Sequence, residues 1–136
     1  MSWRDNAPEA VQADLDGLLD SAISLAEKKL SERGEFFPFG MAVEIGGGMR
    51  VVEAGAGTAQ AAREMNLQAL RGMRSEIRAA ALVVDVLLPE TDSSGIQVHL
   101  EHVDGPAIGV LEPYTLAGTE VSASPLEGFT AQRAVW

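Results

Sequence analysis

The sequence contains no cysteine. Disulfides, thiolate nucleophiles, iron–sulfur clusters and zinc sites with thiolate ligands are therefore excluded. It also lacks an apolar run approaching the roughly 20 residues that a membrane-spanning helix needs. Its first residues, MSWRDNAPEA, show neither the charged nor the apolar region of a signal peptide. These absences predict a cytoplasmic location.

Basic residues are scarce. Ten Lys and Arg stand against twenty Asp and Glu, which gives a formal net charge of -10. A field of this sign repels phosphate backbones and anionic lipid heads, so we expect neither a nucleic-acid nor a membrane partner. A basic protein or a cation would be attracted, although many acidic proteins carry such a charge for solubility alone.

Length and composition are those of one globular domain. The chain has 136 residues, of which 46% are hydrophobic and 22% are charged, and this combination is far from the signature of disorder. We therefore expect a single α+β domain over residues 1–136.

Two helices are predicted. Apolar residues recur at three- and four-residue spacing from Val11 to Leu30, which indicates a helix that begins near Pro8 and stops at Gly34. A second helix should begin after an N-cap at Thr58 and end near Arg78 or Ala79.

The remaining segments predict strands. They cover residues 37–45, 49–54, 82–88, 96–103, 107–116 and 120–124. Two helices cannot supply the crossovers of a parallel sheet. The expected fold is thus two helices on one face of a mainly antiparallel sheet of five to six strands, in the order αββαβββ(β). Residues 125–136 are left unassigned, with an irregular tail as one alternative.

Three ionisable side chains form the first candidate site. If Leu88 lies opposite Ile96, then Asp85 falls across from His99 and shares a sheet face with His99 and Glu101. An imidazole between carboxylates can transfer a proton or bind a divalent metal, so a small hydrolase or metal-dependent enzyme centred on Asp85, His99 and Glu101 is one hypothesis. The favoured alternative is a set of solvent-facing cross-strand charge pairs.

Cofactor binding has little support. The turn at residues 55–57 precedes a predicted helix, but Gln60 stands where the third glycine of a dinucleotide-binding loop would be. We expect no cofactor, no metal and no enzymatic activity. A small-ligand cavity between helices and sheet would need to form among Phe37, Phe39, Met65, Met73 and Leu82.

A mixed sheet face is the second candidate site. The same strand arrangement places Val83, Leu87, Ile108 and Val110 around His99 on a supposedly outer face. Large exposed apolar patches are unusual on monomers, so a second copy or another protein is expected to pack there. Alternatively, the C-terminal tail folds over this face.

An arginine stripe is the third candidate. Arg71, Arg74 and Arg78 are spaced three and four apart on the second predicted helix, where an anion or an acidic partner could dock. Neutralisation by the acidic first helix, or simple solvation, is the favoured alternative.

Four strings, GEFFPFGMAVEIGGG, IRAAALVVDVLLP, VHLEHVDG and VLEPYTL, resemble recurring blocks of a family of small bacterial proteins with no assigned function. The resemblance spans roughly residues 9–116 and implies a bacterial cytoplasmic origin, with no catalytic residue to carry over. Size and charge also resemble those of bacterial immunity proteins. The leading hypothesis is a non-catalytic protein-interaction domain, either a homodimer or a regulatory or toxin-neutralising partner.

Overall fold

The computed structural model describes residues 3–136. A short 3-10 helix, Trp3–Asn6, precedes the main elements. These are, in chain order, α1 (Glu9–Arg33), β1 (Phe39–Glu44), β2 (Met49–Val52), α2 (Ala59–Gly72), β3 (Ile77–Leu88), β4 (Ser93–His102), β5 (Ala107–Ala117), β6 (Glu120–Ala123) and β7 (Glu127–Thr130). The predicted α+β class is confirmed.

The seven strands form one antiparallel sheet with the order β2-β1-β3-β4-β5-β6. The outer edge of β5 is shared. β6 pairs with its last part, Tyr114 to Ala117, and β7 pairs with its first part, Ile108 to Leu111. The strand beyond the predicted six is β7, which lies in the segment that the sequence left unassigned.

The first helix forms where its periodicity predicts it. It ends at Gly34, whose φ of 77° is left-handed and whose N–H donates to the Leu30 carbonyl at 2.8 Å. Its buried face includes Leu15 and Leu18, which pack on one face of the sheet. The side chains beneath it are Met41, Val43, Ala79, Ala81, Val83, Ile96, Val98, Leu100, Ile108 and Val110.

The second helix covers the opposite face. Thr58 caps it as predicted, since its Oγ1 accepts the Ala61 N–H at 3.1 Å. Leu70 packs with Ala42 and Leu82, in a cluster separate from that of α1. Successive strand residues point to opposite faces, so the two helices lie on either side of the sheet and not together on one face. The physical reason is the apolar run at the start of β3, which needs cover on both sides.

The boundary between α2 and β3 also differs from the prediction. The helix ends at Gly72, and Ile77 already belongs to β3, where it pairs with Glu44. Ile77 is buried in the cluster beneath α2. Its apolar spacing relative to the helix is therefore coincidental, and burial in the sheet decides its conformation.

Asn66 fixes α2 to the chain around it. Its Oδ1 accepts the Ala54 N–H at 2.9 Å, and its Nδ2 donates to the carbonyls of Pro38 and Ala62. This buried amide is thereby satisfied by neighbouring backbone. Among residues 3–136, neither helix has the length and apolarity to cross a membrane.

Candidate functional site

The β3–β4 register separates the three predicted catalytic residues. Asp85 pairs with Ile96, and His99 pairs with Leu82, three residues away from the expected alignment. An odd shift moves side chains to the other face of a strand. Asp85 therefore lies on the face covered by α1, whereas His99 and Glu101 lie on the face covered by α2.

The β4–β5 register differs from the predicted register by a single residue. A two-residue turn at Asp104 and Gly105 would pair His99 with Val110, but the loop is longer and His99 pairs with Gly109. Val83, Ile108 and Val110 consequently lie in the core beneath α1. The fourth residue of the predicted surface, Leu87, is 83% exposed but stands apart from the other three.

The arginine stripe is divided between two internal contacts. Arg78 binds both carboxylate oxygens of Asp14 in α1, at 3.0 and 2.9 Å, so the predicted neutralisation by the first helix is confirmed for this residue. Arg71 and Arg74 donate to the carbonyls of Ala134 and Val135, at 2.6 and 3.4 Å. These two cations therefore hold the end of the described chain.

His102 completes the Asp14 contact. Its Nδ1 accepts the Asp104 N–H at 3.1 Å, so the proton lies on Nε2, which donates to Asp14 at 2.9 Å. The Arg78 and His102 contacts outweigh the burial of Asp14 and lower its pKa. The neutral imidazole and the guanidinium together join α1 to β3 and β4.

Among residues 3–136, Glu101 is the carboxylate with the most hydrogen bonds. Its carboxylate is fully buried and accepts three consecutive backbone N–H groups, those of Ala134, Val135 and Trp136, at 2.8, 2.9 and 3.2 Å. His99 Nε2 lies 2.7 Å from the same carboxylate. Burial opposes ionisation, but these hydrogen bonds lower the pKa of Glu101 to about 2.

Residues 133–136, the C-terminal segment, therefore cover the sheet around His99 and Glu101. Arg133 donates to the carbonyls of His102, Val103 and Gly105, and Val135 is 2% exposed. The alternative in which the tail folds over the face of His99 and Glu101 is confirmed for this part of the sheet.

Asp85 has a separate partner. It accepts a hydrogen bond of 2.7 Å from the hydroxyl of Tyr114 in β5. Burial raises the pKa of both groups, and the contact with Asp85 raises that of Tyr114 further. The partner of Asp85 is thus Tyr114, and not the predicted His99 or Glu101.

A second acidic residue is buried beneath α1. Glu112 of β5 is almost fully buried, and its Oε1 has no hydrogen-bond partner within residues 3–136. Burial, followed by the contact and charge of Glu27 in α1, raises the pKa of Glu112 to about 8. Glu112 therefore keeps its proton to a higher pH than an exposed glutamate does.

One part of the α2 face is only partly covered. Val84, Val86 and Leu88 of β3, with Leu111 and Pro113 of β5, stay partly exposed, and we call these five residues the open sheet face. They are neighbours across β4, because Val84, Gln97 and Leu111 align in one row and Val86, Gly95 and Pro113 in the next.

Gly95 shapes the middle of this surface. A Cβ at this position would lie 2.7 Å from Leu111 Cδ1 and 3.4 Å from Leu88 Cδ1, so the missing side chain lets both leucines extend over β4. A pocket of about 490 Å³ opens beside them. It is lined by Leu88, Pro89, Glu90, Thr91, Leu111, Pro113 and Glu127.

A different pocket lies near the aromatic residues. It has a volume of about 260 Å³, and its walls include Phe37 and Phe39, next to Lys29 and Arg33. Phe39 packs on the α1 face and Leu82 on the α2 face. The hypothetical cavity that combined Phe39 with Leu82 therefore does not form.

Comparisons with known proteins add no assignment. No protein-family model matches the chain, and no curated protein or solved structure is significantly similar to it. The resemblance to small bacterial proteins stays a hypothesis. Within residues 3–136, no group of three or more His, Asp or Glu side chains is placed to hold a metal ion.

Sequence reasoning missed the open sheet face because it assigned these positions to a buried face. The signal was present in β3, where Val84, Val86 and Leu88 are apolar on one face, and Val83 and Leu87, although not Asp85, are apolar on the other. A strand that is apolar on both faces at its far end needs a second cover, and α2 is too far along the sheet to supply it.

Proposed function

We propose that this chain is a non-catalytic protein-interaction domain that binds another protein through the open sheet face. The observation behind this proposal is the partly exposed patch of Val84, Val86, Leu88, Leu111 and Pro113 beside a pocket of about 490 Å³. Contiguous exposed apolar residues on a sheet are typical of protein contacts.

A different protein is a better occupant than a second copy. Two chains with a net charge of -10 each repel one another over the distances at which association begins. The arginines nearest the sheet, such as Arg71 and Arg78, are already bound within the chain. A homodimer would thus bring together two acidic surfaces with few free cations between them.

The enzymatic alternative has less support. A hydrolase or metal centre at Asp85, His99 and Glu101 would need side chains that meet, but Asp85 lies on the opposite face from the other two. The Glu101 carboxylate is already occupied by four hydrogen bonds.

Site-specific crosslinking in cells of the native host tests the proposal. A photoreactive amino acid is placed at Leu111, and for comparison at Met65, which is exposed on α2. We expect one covalent adduct of discrete mass at position 111, absent at position 65 and lost when Val86→Glu is added. An adduct of twice the chain mass would mean a homodimer and overturn the choice of partner. Equal crosslinking at both positions would overturn the surface itself.

A further inference from the structure

The distribution of charge along the chain singles out the segment that builds the open sheet face. Residues 79–132 contain no Lys and no Arg, whereas all ten basic residues lie in residues 4–78 and at Arg133. The same segment contains eight acidic residues: Asp85, Glu90, Asp92, Glu101, Asp104, Glu112, Glu120 and Glu127. Strands β4 to β7 therefore carry no positive side chain, and β3 carries only Arg78, near its start.

Two of these carboxylates lie at the open sheet face. Glu90 follows β3, Glu127 begins β7, and both are exposed and line the pocket of Leu88, Leu111 and Pro113. Glu127 pairs with Leu111 across the β5–β7 ladder, so its side chain projects on the same face as Leu111. None of the residues that line this pocket is basic.

We infer that the partner presents a segment that contains both apolar and basic residues. Its aliphatic or aromatic side chains enter the pocket between Leu88 and Leu111, and its Lys or Arg side chains contact Glu90 and Glu127. This inference rests on the proposed function and names the chemistry of the partner. The pocket supplies apolar surface for the contact, and the two carboxylates supply charge complementarity that fixes the orientation and speeds association.

The charge of the whole chain acts in the same direction. A net charge of -10 attracts a cationic segment before contact, and residues 79–132, which contain no Lys or Arg, offer no local repulsion. Binding should consequently weaken as salt is added, because ions screen exposed charges over about 10 Å at 0.1 M ionic strength. A purely apolar contact would not show this dependence.

A set of peptide probes tests the inference on the purified full chain. The first probe is a short synthetic peptide in which leucine alternates with lysine. In the second probe glutamate replaces lysine, and in the third serine replaces leucine. Binding is followed by amide chemical shifts in ¹⁵N-labelled protein. We expect saturable binding of the first peptide alone, with shifts at Val84, Val86 and Leu111.

Matched variants locate the charges. Reversal of both carboxylates, by Glu90→Lys with Glu127→Lys, should weaken binding of the lysine peptide about tenfold, since two attractive exposed pairs are replaced by like-charge contacts. Glu120→Lys is the control, because Glu120 is equally exposed but lines a pocket against α1. All three positions are on the surface, so folding should be unaffected, which circular dichroism checks.

The outcomes separate this inference from the proposed function. Equal binding of the glutamate peptide, an unchanged affinity after double charge reversal, or shifts outside the open sheet face would each overturn the basic partner. A crosslink at Leu111 obtained together with any of these results would leave the interaction function standing. Absence of that crosslink would remove the function itself.

Discussion

The backbone N–H of Val135 donates a hydrogen bond of 2.9 Å to the carboxylate of Glu101, 34 residues earlier in the chain. The same carboxylate accepts the N–H groups on either side of Val135. Three successive amides directed at one anion form a small anion-binding concavity, here filled by a side chain of the same molecule. A fully buried charge is tolerated because its hydrogen bonds replace those of water.

Glu101→Gln should destabilise the protein. The amide keeps the shape of the side chain but removes the negative charge, and its NH₂ group faces N–H donors with which it cannot bond. We expect the free energy of unfolding to fall by about 2–4 kcal/mol, as for other buried charged hydrogen bonds. Urea denaturation measures the change. Glu127→Gln, an exposed control in β7, should have almost no effect.

Hydrogen exchange would show where the stability is lost. In Glu101→Gln the amides of residues 134–136 should exchange faster than in the natural chain, because their acceptor is weakened. Amides in the middle of α1, such as that of Leu18, should change only as much as global stability does. Uniform loss of protection would contradict the role of Glu101 as the anchor of the C-terminal segment.

Acid should remove the Glu101 contribution. The pKa of this carboxyl is about 2 in the folded protein, below its usual value of 4.5, so the unfolded chain binds more protons between these values. The stabilisation is present above about pH 4.5 and disappears as the pH falls toward 2. The difference in unfolding free energy between the natural chain and Glu101→Gln should shrink over this interval. A constant difference from pH 7 to pH 2 would refute the assignment.

Much of the architecture could be predicted from local pattern. The first helix follows from its apolar spacing and from Gly34, and the N-cap at Thr58 follows from side-chain chemistry. The β3–β4 register could not be predicted, because β3 is largely apolar on both faces, so either face could meet the apolar side of β4, and their connecting turn has no single favoured geometry. The predicted β3–β4 register was wrong by three residues and the predicted β4–β5 register by one residue, so Val83 and Val110 were assigned to the wrong face.

The C-terminal segment was beyond sequence reasoning for a different reason. Its contacts join Glu101 to backbone amides of residues 134–136, and any residue type offers such an amide. Arg71 likewise binds a carbonyl of Ala134 rather than a charged side chain. Charge pattern could suggest an acidic side chain, solvent or an external anion as the partner of Arg71, but nothing in the residue types indicates a backbone acceptor.

Alkaline pH should destabilise the protein through Glu112. Its pKa is raised from 4.5 to about 8, so the folded state binds the extra proton in this range. The associated stability is full below about pH 4.5 and is lost as the pH rises toward 8, where the ionised Glu112 faces Glu27. Glu112→Gln should remove this slope and unfold at higher urea concentration than the natural chain at pH 9. An unchanged slope in the variant would assign the titration elsewhere.

Arg78 should stabilise the junction between α1 and the sheet. Arg78→Met keeps much of the aliphatic stem but leaves the largely buried Asp14 with His102 as its remaining partner. We expect a loss of about 1–3 kcal/mol in the free energy of unfolding. Asp14→Asn should cost less when Arg78 is already absent, because the two residues act through one contact, and a double-mutant cycle by urea denaturation measures this coupling. Arg63→Met, at an exposed position of α2, controls for the loss of a cation. Additive effects of Arg78→Met and Asp14→Asn would show that the contact between these two residues does not stabilise the junction.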